Sequence, residues 1–219
     1  KKLNLINEKK PLFIFCNEFF DSLPINQFVK LENFWVEKRI SINESGNLYY
    51  LYNKTQKKIP NFYKKSKTGS LIEISNLLND VINKIFEHIA NFGGAFLLID
   101  YGPFEKKNID TLQSIYKKKK CGILEYPCFS DITHHIDLKY IHELSKKKRL
   151  SCYGPISQKQ FLLTFGAKER LKVLINSTKN RYDIESIING YNRLLDINQM
   201  GELFKCMLFT RENLKFQIA

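Results

Sequence analysis

Two apolar segments of this chain each run directly into polar, acidic residues, and this pattern limits the possible folds more than any other feature. The segment PLFIFC at 11–16 is followed by Asn17 and Glu18, and the segment AFLLI at 95–99 is followed by Asp100. Burying a lone carboxylate is costly, so acids at the ends of two buried strands indicate one shared polar edge. Ligands bind at the carboxyl ends of the strands in an open parallel sheet. The sequence therefore predicts a parallel strand pair with a ligand site where the strands end.

The region between these two segments supplies the connection that parallel strands require. Apolar residues at helical spacing predict a helix that continues to about residue 91, where Gly93 and Gly94 end it. A helix at this position is the crossover that joins two parallel strands. Earlier in the chain, apolar and polar residues alternate on both sides of the segment NESGN, which predicts an inserted β-hairpin at about 33–54.

The rest of the chain predicts further helices and strands. Asp110 is interpreted as the N-cap of a helix over DTLQSIYKKKK, and Asp137 as the N-cap of a helix to about residue 147. The segment at 122–137 is predicted as a loop. Strands are predicted near 151 and 205, with helices between them at 157–166, 167–178 and 182–195. Together these elements predict an α/β fold, organised as a single domain over 1–219.

Composition argues against several classes of protein. Apolar residues make up 43% of the chain, but no apolar run approaches the ~20 residues that span a bilayer, so no membrane span is predicted. The formal net charge is +13, with lysine-rich runs at 117–120 and 146–149. These runs lack interleaved aromatic residues, so we interpret them as solvated surface and predict no specific nucleic-acid partner. A phosphate-attracting face is the alternative interpretation.

The cysteines and histidines do not predict a metal site. The five cysteines contain no C-x-x-C pair, which is typical of reduced thiols in a cytosolic or matrix-like compartment. Cys128 lies close in sequence to three histidines, but this spacing matches no zinc-binding pattern. No metal is therefore predicted.

Six motifs occur in the same order, and with similar gaps, as in the MidA-type methyltransferases, which the chain resembles. The motifs are NEFFDSLP, GGAFLLIDYG, DTLQ, DITHHID, YGPISQKQFLLTFG and RLLDINQMGELFK. The resemblance implies a Rossmann-like class I methyltransferase sheet with helices on both faces, and S-adenosyl-L-methionine as cofactor. The mitochondrial members resemble protein-arginine methyltransferases that help to assemble respiratory complex I. The implied partner is a protein substrate, with a complex I subunit as candidate. The implied compartment is the bacterial cytoplasm or, as the alternative, the mitochondrial matrix.

The chain departs from this family in one large respect. The family carries a glycine-rich strand–loop–helix ahead of the first motif, and this chain contains no such element. The chain also begins with Lys1 rather than Met, so we expect it to be part of a longer polypeptide. The resemblance then implies the C-terminal part of the fold, with the fourth to seventh strands and a missing N-terminal half as partner. Two functions follow: a methyltransferase acting on protein arginine, or a non-catalytic remnant or half-protein that acts as a binding module.

The resemblance and the strand-end positions together give candidate roles to individual residues. Carboxylates hold a guanidinium by paired hydrogen bonds and accept a proton after transfer. The candidate catalytic residues are Glu18, Asp21 and His135; the candidate cofactor contact is Asn17; the candidate substrate contacts are Asp100, Tyr101 and Thr133.

Each of these candidates has a structural alternative. Asn17 and Asp21 are equally suited to capping a following turn and helix. Asp100 can cap the next segment while Tyr101 packs in the core, and a histidine in a loop such as His135 can simply be hydrogen-bonded. The sequence leaves these alternatives open.

Overall fold

The computed structural model describes residues 9–211 apart from positions 56, 58, 61, 62, 64 and 106. Lys1, on which the expectation of a longer polypeptide rests, lies outside these residues. The chain divides into two compact units, which we describe separately. The α/β unit comprises Lys1–Phe19, Val81–Glu105 and Ile136–Ala219, and the β unit comprises Phe20–Asp80 and Lys106–His135. A single domain over 1–219 stays a prediction.

The strands and helices follow one another along the chain in mixed order. The strands are β1 (Leu12–Asn17), β2 (Asn26–Lys30), β3 (Trp35–Ile42), β4 (Leu48–Lys54), β5 (Leu71–Ile74), β6 (Gly94–Tyr101), β7 (Gln113–Tyr116), β8 (Lys119–Cys121), β9 (Asp131–Thr133), β10 (Leu150–Ser157) and β11 (Phe204–Arg211). The helices are α1 (Asn76–Phe92), α2 (Leu138–Lys147), α3 (Gln158–Thr164), α4 (Ala167–Ser177), α5 (Arg181–Leu195) and α6 (Met200–Leu203).

The α/β unit is built on a four-stranded sheet in the order β1-β6-β11-β10. β1 and β6 are parallel, whereas β11 runs antiparallel to both of its neighbours, β6 and β10. The two inner strands, β6 and β11, are apolar along nearly their whole length because both of their faces are covered. The predicted α/β class is confirmed, and the four strands predicted in this unit form one sheet.

The core of the α/β unit lies between this sheet and α1. Phe96, Leu98, Met207 and Phe209 on the inner strands are fully buried. Phe86 on α1 packs onto them, with its ring centroid 4.9 Å from that of Phe209 and 6.3 Å from that of Phe96. The amphipathic spacing that predicted this helix therefore marks the face that covers the two inner strands, β6 and β11.

The predicted cap of α2 is also confirmed. The Asp137 carboxylate accepts a hydrogen bond from the backbone N–H of Tyr140 at 2.8 Å, and the helix begins at Leu138. The helix buries Leu138, Ile141 and Leu144 on one side, which matches the spacing of a helix packed on a sheet.

The β unit contains two antiparallel sheets, in the orders β4-β3-β2-β5 and β8-β7-β9. The predicted hairpin is confirmed as β3 and β4, which pair from Val36 with Lys54 to Ile42 with Leu48. The structure extends it, because β2 pairs with β3 and β5 pairs with β2, which completes the first sheet. Its core is formed by Phe28, Trp35 and Ile72.

The helix predicted after Asp110 is wrong, because this segment folds as β7 and β8. The Asp110 carboxylate does accept from the nearby Leu112 N–H, but its other partners are side chains on β2 and β3, Gln27 and Lys38. The chain then reverses at Lys117 and Lys118, whose φ angles of 48° and 65° are left-handed. Positive φ at both central residues is the geometry of a tight hairpin turn. The loop predicted at 122–137 likewise contains the short strand β9.

Two types of feature are missing from the described part of the chain. Over residues 9–211, apart from the six positions given above, no helix has the length and apolar character needed to cross a bilayer. Among the same residues, no group of three or more His, Cys, Asp and Glu side chains is placed to hold a metal ion.

Candidate functional site

The first group of candidate residues lies at the end of β1, in the α/β unit. β1 pairs with β6 as far as Asn17, which is opposite Ile99, and the Glu18 N–H then donates to the Ile99 carbonyl at 3.0 Å. Glu18 has a φ of 49°, so the backbone turns sharply at this residue. Both side chains are exposed, and the Asn17 amide lies 3.5 Å from a Glu18 carboxylate oxygen. The structure therefore presents an amide and a carboxylate together at the carboxyl end of the strand.

At the opposite end of this strand pair, the close approach of the β1 and β6 backbones requires Gly94. Its φ is +101°, and a Cβ added there would lie 1.9 Å from the backbone oxygen of Leu12 on β1. Glycine is required because the two strands approach too closely at this point for any side chain. Gly94, the first residue of β6, thus allows the parallel pairing that leads to Glu18.

The end of β6 carries Asp100 and Tyr101, and both are buried. Asp100 is 0% exposed and accepts a hydrogen bond from the Tyr101 N–H at 2.8 Å. The Tyr101 ring packs 5.3 Å from that of Phe204, and its carbonyl accepts from the Ile136 N–H at 3.2 Å. Burial raises the pKa of the Cys16 thiol, and the negative charge of Asp100 raises it further. These contacts match the structural alternative for Asp100 and Tyr101, and their role as substrate contacts stays a prediction.

Asp21 belongs to the β unit and is only 3% exposed. Its backbone carbonyl accepts from the His134 N–H at 3.0 Å. The element after it is the strand β2, so Asn17 and Asp21 do not cap a following helix as one interpretation of the sequence proposed. The helix part of that interpretation is wrong because the chain leads through turns into a strand, and capping of a turn by these residues stays a prediction.

The two histidines of the motif DITHHID have different surroundings. The His134 ring is buried, with Nδ1 3.1 Å from the carbonyl oxygen of His135 and Nε2 3.1 Å from that of Leu23. His134 therefore ties this motif to the segment that follows Asp21. His135 is half-buried and its N–H donates to Thr111 Oγ1 at 3.0 Å, while Thr133 is the half-buried last residue of β9. A catalytic role for His135 stays a prediction.

A buried polar network beside this motif was not predicted from the sequence. Glu73 Oε1 accepts from Gln27 Nε2 and from the Thr111 N–H, both at 3.0 Å, and Oε2 accepts from Thr111 Oγ1 at 2.6 Å. Gln27 also donates to Asp110 at 2.7 Å, and Lys38 Nζ lies 2.7 Å from that carboxylate. Burial raises the pKa of Asp110, but the hydrogen bonds from Lys38 and Gln27 outweigh it and leave the pKa lowered. The sequence signal for this network was Glu73, an acid in the otherwise apolar strand β5, LIEI.

The Glu37 carboxylate, also in the β unit, contacts two cations. Glu37 accepts from Arg39 Nη2 and from Lys57 Nζ, both at 2.6 Å, and from Asn26 Nδ2 at 3.1 Å. Burial raises the pKa of Glu37, but the hydrogen bonds from Lys57 and Arg39 outweigh it, so the pKa lies below its usual range. These contacts fix β3 against its neighbours and involve none of the candidate residues.

Comparison with known proteins gives a consistent set of relatives. Residues 2–156 match the model of a family described as "Putative S-adenosyl-L-methionine-dependent methyltransferase". The mitochondrial protein arginine methyltransferase NDUFAF7 homolog of Caenorhabditis elegans is 33% identical over 205 residues, which cover 91% of this chain and 47% of that protein. Mitochondrial protein arginine methyltransferase NDUFAF7 of Homo sapiens is 29% identical over 194 residues, 88% of this chain and 44% of that protein. The chain thus spans about half the length of the curated relatives it matches.

Two crystal structures from Burkholderia thailandensis share the fold. One belongs to an uncharacterized protein, with a TM-score of 0.80 and 24% identity over 97% of this chain and 59% of that one. The other was solved bound to S-adenosyl-homocysteine, with a TM-score of 0.79 and 23% identity over 97% of this chain and 57% of that one. At this level of identity the likeness shows the fold alone.

Proposed function

The chain belongs to the family of S-adenosyl-L-methionine-dependent methyltransferases that its residues 2–156 match, and we propose that it supplies the substrate side of a protein-arginine methyltransferase. The observation that carries this proposal is the exposed Glu18 carboxylate at the carboxyl end of a parallel strand pair. The hydrogen bond from the Glu18 N–H to Ile99 fixes the backbone there, so the carboxylate is presented from a rigid position. Ligands bind at this edge in open α/β sheets.

A carboxylate in this position suits a guanidinium substrate. Two carboxylate oxygens accept paired hydrogen bonds from the planar guanidinium, which fixes its orientation as well as its charge. Glu18 would hold the arginine in this way and accept the proton that its nitrogen releases. S-adenosyl-L-methionine, when bound, supplies the methyl group. Asn17, next to Glu18, would contact this cofactor through its amide.

The described residues fit the substrate side of such an enzyme better than the cofactor side. Among residues 9–211 with the gaps noted above, no glycine-rich turn follows a strand and opens a helix. Such turns cradle the cofactor in dinucleotide-binding folds of this type. We therefore assign only Asn17 to the cofactor, and the remaining cofactor contacts to a complementary part such as the N-terminal half that the family resemblance implies.

The other candidates take supporting roles in this proposal. Asp21 is only 3% exposed, which favours positioning over direct contact with the substrate, and His135 is kept as the candidate base. Asp100 and Tyr101 are buried, which favours the same role. Thr133 is the remaining candidate for contact with the substrate.

The relatives also suggest a substrate and a compartment. Their names describe mitochondrial protein arginine methyltransferases, which supports a protein substrate and favours the mitochondrial matrix over the bacterial cytoplasm. A subunit of respiratory complex I is the candidate substrate that the family resemblance implies.

A second candidate function is a non-catalytic binding module, and the edge of the sheet favours it. Within the described residues β1 pairs only with β6, so its other edge is open. Phe13 and Phe15 on this strand are 84% and 64% exposed. An open apolar edge is a place where another strand can pair.

Substitution of Glu18 separates the two functions. Glu18→Gln keeps the shape of the side chain but removes its charge, so transfer of a radiolabelled methyl group to an arginine-bearing protein should fall by about 10²–10⁴-fold. The assay uses the protein as its gene encodes it, with melting temperature and cofactor affinity recorded in parallel. Glu169→Gln, at an exposed acid on α4, is the control and should leave transfer unchanged. Near-normal transfer in the Glu18→Gln protein would refute the catalytic assignment, and no transfer by any form would favour the binding module.

A further inference from the structure

Helices near the C-terminus line a cavity that is open to solvent and that the proposed methyl transfer does not use. Its volume is about 950 Å³, and its walls come from α3, α4, α5 and the turn after α5. All of these elements belong to the α/β unit. None of the candidate residues of the strand-end site lines it.

Three cations line this cavity, and each comes from a different helix. Lys159 is the second residue of α3, Lys168 is the second residue of α4, and Arg193 lies near the end of α5. On α5 the spacing is three and four residues from Asn189 to Asn192 and Arg193, so two amides share one face with the guanidinium. The cavity is therefore lined by positive charges and hydrogen-bond donors that converge from separate elements.

The three cations of the cavity have no acidic partner among the residues that the structure describes. Lys159, Lys168 and Arg193 form no ion pair with any residue that the structure describes. One acid, Asp196, also lines the cavity. Its Oδ1 accepts from the Asn198 N–H at 2.8 Å and its Oδ2 lies 3.4 Å from Gln199 Nε2, so its charge is partly satisfied within its own turn. The lining keeps an excess of two positive charges.

We infer that this cavity binds a small molecule that carries at least two phosphate groups. Its volume lies within the range of about 300–1,000 Å³ found for ligand sites, but its lining is polar rather than apolar. Lysine binds phosphate as a point charge, and arginine binds it through two parallel hydrogen bonds. Three cations exceed what one carboxylate ligand would need, whereas a diphosphate matches them in charge.

Calorimetric titration with inorganic pyrophosphate, at fixed ionic strength, tests this inference on the full chain. The unmodified protein should bind pyrophosphate saturably, and inorganic phosphate more weakly. The triple variant Lys159→Gln, Lys168→Gln and Arg193→Gln should weaken pyrophosphate binding by about tenfold or more, because it removes every cation that lines the cavity within the described part of the chain. ADP and adenosine distinguish the possible sources of the phosphates. A nucleotide site should bind ADP more tightly than pyrophosphate, whereas a site for another diphosphate should not. In both cases adenosine, which has no phosphate, should not bind.

A matched control is available on neighbouring segments. Arg170, Lys172 and Lys179 are one arginine and two lysines that are exposed and lie outside the cavity lining. Replacing all three by glutamine removes the same charge from the same region, so pyrophosphate binding should stay within about threefold of the unmodified protein. Equal loss in both triple variants, or the absence of saturable pyrophosphate binding, would overturn the inference. So would a preference for an acidic peptide over pyrophosphate.

Folding of the cavity variant has its own check. The three positions are exposed or half-buried, so melting temperatures of both triple variants should match that of the unmodified protein. If the glutamine variant does not fold, Lys159→Arg with Lys168→Arg keeps the charge and should retain binding, while Arg193→Gln alone should weaken it. Loss of binding in the charge-preserving variant would also contradict the inference.

Discussion

Replacing Gly94 by alanine tests whether the parallel strand pair depends on close backbone approach. The added Cβ would lie 1.9 Å from the Leu12 oxygen and 2.6 Å from the Leu12 nitrogen. These are backbone atoms of β1, opposite Gly94 in the strand register, so they cannot move away without breaking the pairing that leads to Glu18. The φ of +101° at this position adds a conformational penalty for any residue with a side chain.

The expected magnitude follows from these two terms. Holding a non-glycine residue in a sparsely populated conformation costs about 1–3 kcal/mol. Forcing an extra methyl group into a well-packed site costs about 1–3 kcal/mol more. Gly94→Ala should therefore lower the free energy of unfolding by about 4 kcal/mol, a large part of the 5–15 kcal/mol typical of a domain.

Two other glycines of the α/β unit separate the conformational penalty from the penalty of close packing. Gly166 has a φ of +87°, but the nearest atom to an added Cβ is a Glu169 side-chain oxygen at 3.6 Å, so Gly166→Ala should show the conformational penalty alone. Gly190, inside α5, would meet nothing within 4 Å. Gly190→Ala should raise the free energy of unfolding by up to about 1 kcal/mol, since alanine favours helix over glycine.

Urea unfolding followed by far-UV circular dichroism measures all three variants. The helices are concentrated in the α/β unit, so this signal reports the unit that contains the substitutions. The single tryptophan, Trp35, lies in the β unit, and its fluorescence follows the other unit separately. If Gly94→Ala is no more destabilising than Gly166→Ala, the close approach of Gly94 to Leu12 does not limit the fold, and the reasoning is refuted.

Three further predictions follow from the sheet edge and the charged groups. Residues 1–219 alone should bind S-adenosyl-L-methionine weakly or not at all, and micromolar binding by calorimetry would contradict this. The same chain should self-associate through its open edge, and Phe13→Ser with Phe15→Ser should reduce association in sedimentation velocity; a monodisperse unmodified monomer would argue against it. The lowered pKa values of Glu37 and Asp110 give stability that is complete above their ordinary range, about pH 4. This stability is lost as pH falls through the folded-state values, so Glu37→Gln should flatten the acid side of the unfolding free energy against pH, and an unchanged profile would contradict this linkage.

The sequence predicted the α/β unit well because its signals are local. β1 and β6 are short apolar runs, α1 has a continuous helical period, and Gly93 and Gly94 mark where the helix ends. The hairpin of β7 and β8 could not be predicted in the same way. Its turn places Lys117 and Lys118 at positive φ without the Asn or Gly that usually signals such a turn. The four lysines at 117–120 favoured a helix instead, and the pairing of β7 with β9 overrode that preference.

The candidate site was partly predictable for a related reason. Asn17 and Glu18 were identified because they directly follow an apolar run, and the structure places them at the exposed end of β1. Glu73 was missed because its partners are far away in sequence: Gln27 lies 46 positions before it and Thr111 lies 38 positions after it. Only the folded chain shows that these polar groups satisfy one another.

The two strand-end acids have different environments because their strands occupy different positions in the sheet. β6 lies between β1 and β11, so Asp100 at its end is buried and turns back onto the Tyr101 N–H. β1 is paired on one edge only among the described residues, so Glu18 beyond its end stays exposed. A buried carboxylate that already bonds its own backbone is poorly placed to take a guanidinium from a protein substrate, whereas an exposed one is free to do so. The same sequence pattern therefore gives a buried acid on the inner strand and an exposed acid, the stronger candidate for substrate contact, beyond the end of the outer one.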